Sequence, residues 1–268
     1  MTPLVPVYLS VVIPAYNEER RIRPTLARIA EYLDAQRYGS EVVVVDDGSK
    51  DGTADAVRQH AGCRPNVRLL QCGVNGGKGY AVQQGMLRAR GEYLLFSDAD
   101  LSTPIEEVEK LFPWMQSGFD VVIGSRGLSG SDIRIHQPWY REHMGKVFNG
   151  FVRMLVLRGI RDTQCGFKLF RRSVAHEIFP RQQLDGFCFD VELLWLARKF
   201  GFRIKEVPIV WYNEEQSRVH PVKDARRMLM DLIRIRIRDW RGGYGDGKPG
   251  AVPVKEAEAL EWTGQRKP

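Results

Sequence analysis

A chain of 268 residues has room for one large domain or two small ones, and it can bury a substantial core without disulfides or metals. Hydrophobic residues at 43% and charged residues at 27% exclude the disordered, collagen-like and disulfide-stapled classes. The net charge of +7 suits nucleic acid, an anionic membrane surface or a phosphate-bearing substrate, and alone chooses none of them.

The apolar runs at 42–45, 93–96 and 154–157 fall far short of the roughly 20 residues a bilayer span requires, so no transmembrane segment is expected. Residues 7–15 have the apolar character of a signal-peptide core. They lack a basic flank, however, and run directly into Glu18-Glu19-Arg20-Arg21. The expected location is cytoplasmic. The four cysteines, Cys63, Cys72, Cys165 and Cys188, form no CxxC pair and have no histidine at zinc-ligand spacing, which reads as reduced core thiols.

In chain order, 7–14 is a β-rich run, and 19–38 carries Ile22, Leu26, Ile29, Ala30 and Leu33 at helical spacing. Residues 40–45 are almost continuously apolar, as in a strand buried on both faces. Helix at 53–60, strand at 67–71, helix at 79–89 and strand at 92–97 follow. A helix over 103–115 is expected from Ser102 or Thr103 as N-cap, Pro104 in the first turn and acids behind it. Another buried strand covers 121–124. This alternation predicts an α/β fold, a mostly parallel sheet flanked by helices, with ligands at the carboxyl ends of its strands.

The second half is less regular. Residues 139–157 contain an amphipathic helix with Met144, Val147, Phe148, Phe151, Val152 and Leu155 on one side. A helix at 188–200 and a strand at 203–212 come next. Residues 222–240 form the most polarised helix: Ala225, Met228, Leu229, Leu232, Ile233, Ile237 and Trp240 make one stripe, with Arg227, Arg234 and Arg238 opposite. Its IRIRIR end also alternates with period two, which leaves a strand open there. The expected organisation is a main α/β domain at 1–217, a basic amphipathic helix at 218–241 and a flexible tail at 242–268.

Four polar elements fall at strand ends. They are Pro14-Ala15-Tyr16-Asn17-Glu18, the run Asp46-Asp47-Gly48-Ser49 with Asp51-Gly52-Thr53, Asn75-Gly76-Gly77-Lys78-Gly79, and Asp98-Ala99-Asp100. Strand alternation puts Asp98 and Asp100 on the same side. Two carboxylates so placed repel unless a cation or donors join them, and a hard divalent ion completed by phosphate oxygens and water meets that need. The bland reading of an isolated DxD is a solvated acidic turn; the other three elements in register argue against it. Competing nucleotide motifs fail: Cys72 stands where a P-loop needs its first glycine, Gly79 follows Lys78, and no GxGxxG follows the first strand.

VVIPAYNE, VVVVDDGSKDGT, NGGKG, the DAD triplet and VVIGSR, in that order and spacing, resemble family 2 glycosyltransferases of GT-A fold. DTQCGFKLF (162–170), FDVELL (189–194) and EVPIVWYNEEQSRV (206–219) look like the polyprenyl-phosphate glycosyltransferases, nearest the dolichyl-phosphate β-glucosyltransferases. The resemblance covers about residues 8–240. It implies inverting transfer of a sugar, glucose first, from a UDP-sugar to a polyprenyl phosphate, with Mg²⁺ or Mn²⁺ as cofactor. By motif position Pro14, Ala15, Tyr16 and Glu18 line the uracil and ribose, Asp46 or Asp47 holds the base or ribose, and Lys78 faces the nucleotide. Asp98 and Ala99 contact the donor, and Asp100 with Asp98 ligates the metal. Mannosyl-transferring relatives often carry Gln two residues after the second Asp, where this chain has Ser102, which weakens a GDP-mannose reading.

A phosphate monoester acceptor is already anionic at neutral pH, so it needs placement and cations more than a base. The candidate cations are Arg126, Lys168 and Arg218. Asp190 stands where hydroxyl-transferring relatives keep their base; it reads equally as a base, an acceptor-orienting group or a helix cap. Asp162 is either acceptor-side or a structural partner for Arg161 or Lys168, and Gln164 and Trp211 either line the sugar pocket or pack in the core. The helix at 222–240 resembles an interfacial helix at an anionic membrane surface, with an ordinary packed surface helix as the plain alternative. The expected enzyme is peripheral at the cytoplasmic face of a membrane. The same fold acting on a saccharide or small hydroxyl acceptor remains open, whereas no nucleic-acid module is recognisable.

Overall fold

The computed structural model describes residues 6–135, 139–212, 221–245 and 261–262. The first half alternates as its periodicity predicts: β1 (Val7–Ala15), α1 (Glu19–Asp34), β2 (Gly39–Asp46), α2 (Thr53–Cys63), β3 (Val67–Gln71), α3 (Lys78–Arg88) and β4 (Tyr93–Ser97). A 3₁₀ turn (Ile105–Lys110) and the short α4 (Phe112–Gln116) lead to β5 (Val121–Ser125) and β6 (Asp132–Ile135). Then come α5 (Trp139–Leu155), β7 (Phe167–Arg171), α6 (Arg172–Ile178), α7 (Phe189–Lys199), β8 (Ile204–Pro208), β9 (Val210–Tyr212), α8 (Pro221–Trp240) and β10 (Glu261–Trp262).

The main sheet runs β10-β3-β2-β1-β4-β7-β5-β8. It is parallel except at β7, which runs antiparallel to both β4 and β5, and at the edge strand β10. Because strand side chains alternate, Val11, Ile13, Val42 and Val44 pack against α1, α2 and α4, while Val12, Val43 and Val45 pack against α3, α6 and α7. That double coverage is why these strands read as unbroken apolar runs. Chain order reverses between β1 and β4, and this switch point opens a crevice beyond their carboxyl ends.

Several expectations need correction. The helix expected over 103–115 is broken in two. Pro104 has the extended ψ of 143° and stays outside the turn it was read as starting, and Pro113 lacks the N–H that would continue an α-helix through Leu111. The strand read over 203–212 is two pieces. After Pro208, which has no N–H for the ladder, the chain leaves the main sheet and pairs with β6 instead. The IRIRIR segment is helical, with Leu232 and Ile235 both fully buried at helical spacing. Strand β7 was not separated from the motif that contains it. Among the described residues no helix is long and apolar enough to cross a membrane. Cys72, Cys165 and Cys188 are buried free thiols, while Cys63 is exposed.

Candidate active site

A cavity of about 740 Å³ occupies the switch-point crevice. Pro14, Ala15, Tyr16 and Glu18 form one wall, where β1 ends. This turn is stapled from the loop after β2: Asn17 N donates to Ser49 Oγ (2.8 Å), Lys50 N to Asn17 Oδ1 (2.8 Å) and Glu18 N to Thr53 Oγ1 (2.7 Å). Arg21 Nε and Nη2 grip the Glu18 carboxylate at 2.7 and 2.9 Å. Much of the DDGSKDGT run therefore braces the turn after β1. Asp46 belongs to that scaffold. It is buried, accepts from Ser49 N (3.0 Å) and Gln71 Nε2 (3.3 Å), and does not line the cavity, so of the two adjacent aspartates it is Asp47 that faces it.

Asp47 does line the cavity, yet its carboxylate accepts Gly76 N (2.9 Å) and Gly77 N (2.8 Å). It thereby fixes the glycine loop that delivers Lys78. Gly77 has φ +101°, and a Cβ there would sit 2.5 Å from the Asp185 carbonyl, so the loop requires glycine. Lys78 Nζ lies 2.7 Å from Asp98 Oδ1. Burial works to lower the Lys78 pKa, but Asp98 and Asp190 outweigh it and hold the ammonium above its ordinary value.

Asp98, Ala99 and Asp100 all line the cavity. The turn is tight: Ser102 N donates to Asp100 Oδ1 (2.9 Å), and Leu101 takes φ +48°, a conformation costing a non-glycine residue on the order of 1–2 kcal/mol. Gly166, on the loop before β7, makes room for Asp98; a Cβ there would fall 2.0 Å from Asp98 Oδ2. Among the described residues, Asp98 Oδ1 is buried with only the Lys78 ammonium beside it. Among the described residues no cluster of three or more His, Cys, Asp or Glu is grouped for an ion. Two carboxylates on one cavity wall fit a hard cation that takes one or two of them and finds its other ligands on a diphosphate and water.

On the far wall, Arg126 is forked by Asp162 at 2.7 and 2.9 Å and lies 5.3 Å from the centre of the Trp211 ring. Asp162 is in turn positioned by its own N–H bond to Glu206 (2.9 Å). Burial raises the Asp162 pKa, but the adjacent Arg126 prevails and holds it below the ordinary carboxylate range. Asp162 is buried and absent from the cavity wall, and its ion-pair partner is Arg126 rather than Arg161 or Lys168. Gln164 and Trp211 both line the cavity.

Lys168 is fully buried, with its ammonium 2.5 Å from both Asp190 Oδ1 and the Cys165 carbonyl. It cannot reach an acceptor phosphate, which overturns that assignment: strand β7 points it inward, into the pair with α7. Asp190 is not a cap, since no side-chain cap bond forms at this helix start. It reaches the cavity wall from the first turn of α7. Burial lifts its pKa, and Lys168 and Lys78 offset that lift only in part. Arg218 lies outside the described residues. Sequence reasoning missed Gly166, the loop Asp185-Gly186-Phe187, and Arg227, Met228 and Asp231 of α8, all of which face the cavity. Only Gly166 had a local signal, its place beside Lys168 in the DTQCGFKLF run.

The profile of glycosyl transferase family 2 matches residues 10–179. The dolichyl-phosphate beta-glucosyltransferase of Dictyostelium discoideum is 38% identical over 248 residues, 88% of this chain and 76% of that protein. Its namesakes in Saccharomyces cerevisiae and Homo sapiens are 38% and 35% identical, covering 90% and 88% of this chain and 78% and 77% of their own. Among solved structures, mannosyl-3-phosphoglycerate synthase from Rubrobacter xylanophilus superposes with a TM-score of 0.64 at 19% identity, covering 96% of this chain and 85% of that one. Glucosyl-3-phosphoglycerate synthase from Mycobacterium tuberculosis, crystallised with Mn²⁺, UDP and glucosyl-3-phosphoglycerate, also gives 0.64, at 18% identity over 86% of this chain and 79% of its own. At such identities the structural likeness speaks for the fold alone.

Proposed function

The chain belongs to glycosyl transferase family 2, and from that premise we propose that it transfers glucose, with inversion, from UDP-glucose to dolichyl phosphate. The observation that carries the reading is one cavity at the switch point that joins the Asp98/Asp100 pair to Lys78 on one side and Arg126 on the other. The names of the full-length relatives support the choice of donor and acceptor.

Pro14, Ala15, Tyr16 and Glu18 receive the uracil and ribose. Lys78 and Asp98 flank the diphosphate. A divalent cation, Mg²⁺ or Mn²⁺, would be held by Asp100 and Asp98 and would supply positive charge beside the leaving group. The acceptor's phosphate oxygen forms the new bond to C1 from the face opposite the diphosphate, and UDP departs with the electron pair of the broken C1–O bond. No proton need be removed from a phosphate whose second pKa is about 6. Arg126, stiffened by Asp162 and Trp211, and Arg227 at the α8 wall are the cations that orient the acceptor. Asp190, already paired with Lys168, serves the charge balance around Lys78.

Helix α8 also supports a membrane-surface role. Met230, Ile233, Ile237 and Trp240 remain exposed, Trp240 at 85%, beside the exposed Arg226, Arg234 and Arg241. Purified protein incubated with UDP-glucose or GDP-mannose, with and without dolichyl phosphate, should release UDP from UDP-glucose, mainly with the lipid present, and no GDP from GDP-mannose. Chelator should abolish that release. Transfer to a saccharide hydroxyl with dolichyl phosphate ignored would refute the reading.

A further inference from the structure

Glu192 lies on α7 two residues beyond the cavity-lining Asp190, is fully buried, and has no part in the chemistry above. We infer that Glu192 is a positioning residue that, clasped by Tyr244 from beyond α8, sets the loop presenting Lys78 to the donor. The inference rests on the reading of Lys78 as a donor-facing group.

The end of α8 is what brings Tyr244 inward. Gly242 has φ +72°, Gly242 N donates to Asp239 O (3.0 Å) and Gly243 N to Arg238 O (2.9 Å). This is a Schellman stop, which only a residue tolerant of left-handed backbone closes cheaply. The chain reverses, and Tyr244 becomes fully buried although it follows an Arg-Gly-Gly run. Its hydroxyl donates to Glu192 Oε1 at 2.6 Å, while Arg238 stands 3.8 Å from the same oxygen.

The other oxygen, Glu192 Oε2, accepts Gln183 N (2.9 Å) and Leu184 N (2.8 Å). That segment is the seat of the lysine loop. Asp185 O accepts Gly79 N (2.8 Å), and Gln182 Nε2 donates to both Gly79 O and Leu184 O at 2.9 Å. A Cβ on Gly79 would come within 2.7 Å of Leu184 O, so the two segments touch with no room for slip. An unbroken run of short contacts therefore joins Tyr244 to Lys78. Burial raises the Glu192 pKa, against the pull of Tyr244 and the two backbone donors. Removing a donor from so dry a carboxylate leaves Oε1 poorly satisfied, and a shift of the carboxylate toward Arg238 to recover a partner would draw with it the 183–184 backbone bonded to its other oxygen.

The test compares Tyr244→Phe, which keeps the buried ring, with Tyr32→Phe, which removes a hydroxyl bonded to Glu109 and Tyr38 far from the cavity. Tyr244→Phe should raise the KM for UDP-glucose about tenfold, the scale of one lost hydrogen bond, with the acceptor KM unchanged. Calorimetric affinity for UDP should fall in parallel. Glu192→Gln should move the same constants in the same direction, and Tyr32→Phe should move neither. A lowered Tm with unchanged donor KM in Tyr244→Phe overturns the inference, as does an equal rise in both KM values. Wild-type protein that fails to bind UDP at all would instead bring down the donor-site reading and this inference with it.

Discussion

Replacing Lys168 with Met removes one half of a buried ion pair and leaves the Asp190 carboxylate without its closest partner. Both side chains are almost wholly inaccessible, at 0% and 4% exposure, so water cannot compensate. Breaking such a pair costs about 3–5 kcal/mol. Lys78 still attracts Asp190, which favours the lower end of that range. At about 2–4 °C per kcal/mol for a domain of this size, Tm should fall by roughly 6–12 °C. The deficit should depend on pH. Burial already raises the Asp190 pKa, and without Lys168 it rises further, so the folded variant prefers the protonated acid. Stability from a raised pKa is present below the unfolded carboxyl value, about 4, and is lost as pH climbs through the folded value. Melting curves of variant and wild type at pH 5 and pH 8 should therefore lie closer together at pH 5. The double variant Lys168→Met/Asp190→Leu, which leaves no orphaned charge, should be more stable than the single one. A single variant within about 1 kcal/mol of wild type, or a double variant no better than the single, would refute the argument.

Gly166→Ala should impair turnover more than folding, because the added methyl displaces the Asp98 carboxylate; a drop of about tenfold or more in kcat/KM with Tm within a few degrees is expected. Asp162 and Glu41 have carboxyl pKa values held low by Arg126 and by Arg68 and Arg90 against the lifting effect of burial. The stability they contribute is present above about pH 4 and disappears as pH falls below it, and Asp162→Asn should flatten that acid limb of the Tm–pH curve. Ser at Ile233, Ile237 and Trp240 should weaken binding to anionic vesicles by about 100-fold, at roughly 1 kcal/mol per side chain. Leu232 is left intact because it is core, and equal vesicle partitioning of variant and wild type would end the interfacial proposal.

Strand and helix alternation, the α/β class and the four polar clusters at strand ends were legible in the chain itself. Doubly buried parallel strands announce themselves as apolar runs, whereas Asp98 and Asp100 lie beyond the end of β4 in a tight turn, so it is the turn and not strand alternation that brings both to the cavity. The family resemblance came from short motifs whose order survives without any knowledge of contacts. Partnership was another matter. Nothing local distinguishes Lys168, turned into the core by β7, from Arg126, turned toward the cavity, since both are basic residues near a strand end. Asp46 and Asp47 are adjacent, yet one holds the loop after β2 and the other clasps the glycine loop. The antiparallel insertion of β7 between β4 and β5, the prolines that divide 103–115 and 203–212, and the return of Tyr244 onto Glu192 depend on which segments meet across the fold. Periodicity records which face of an element is dry; only the packed chain decides which charge lies opposite which.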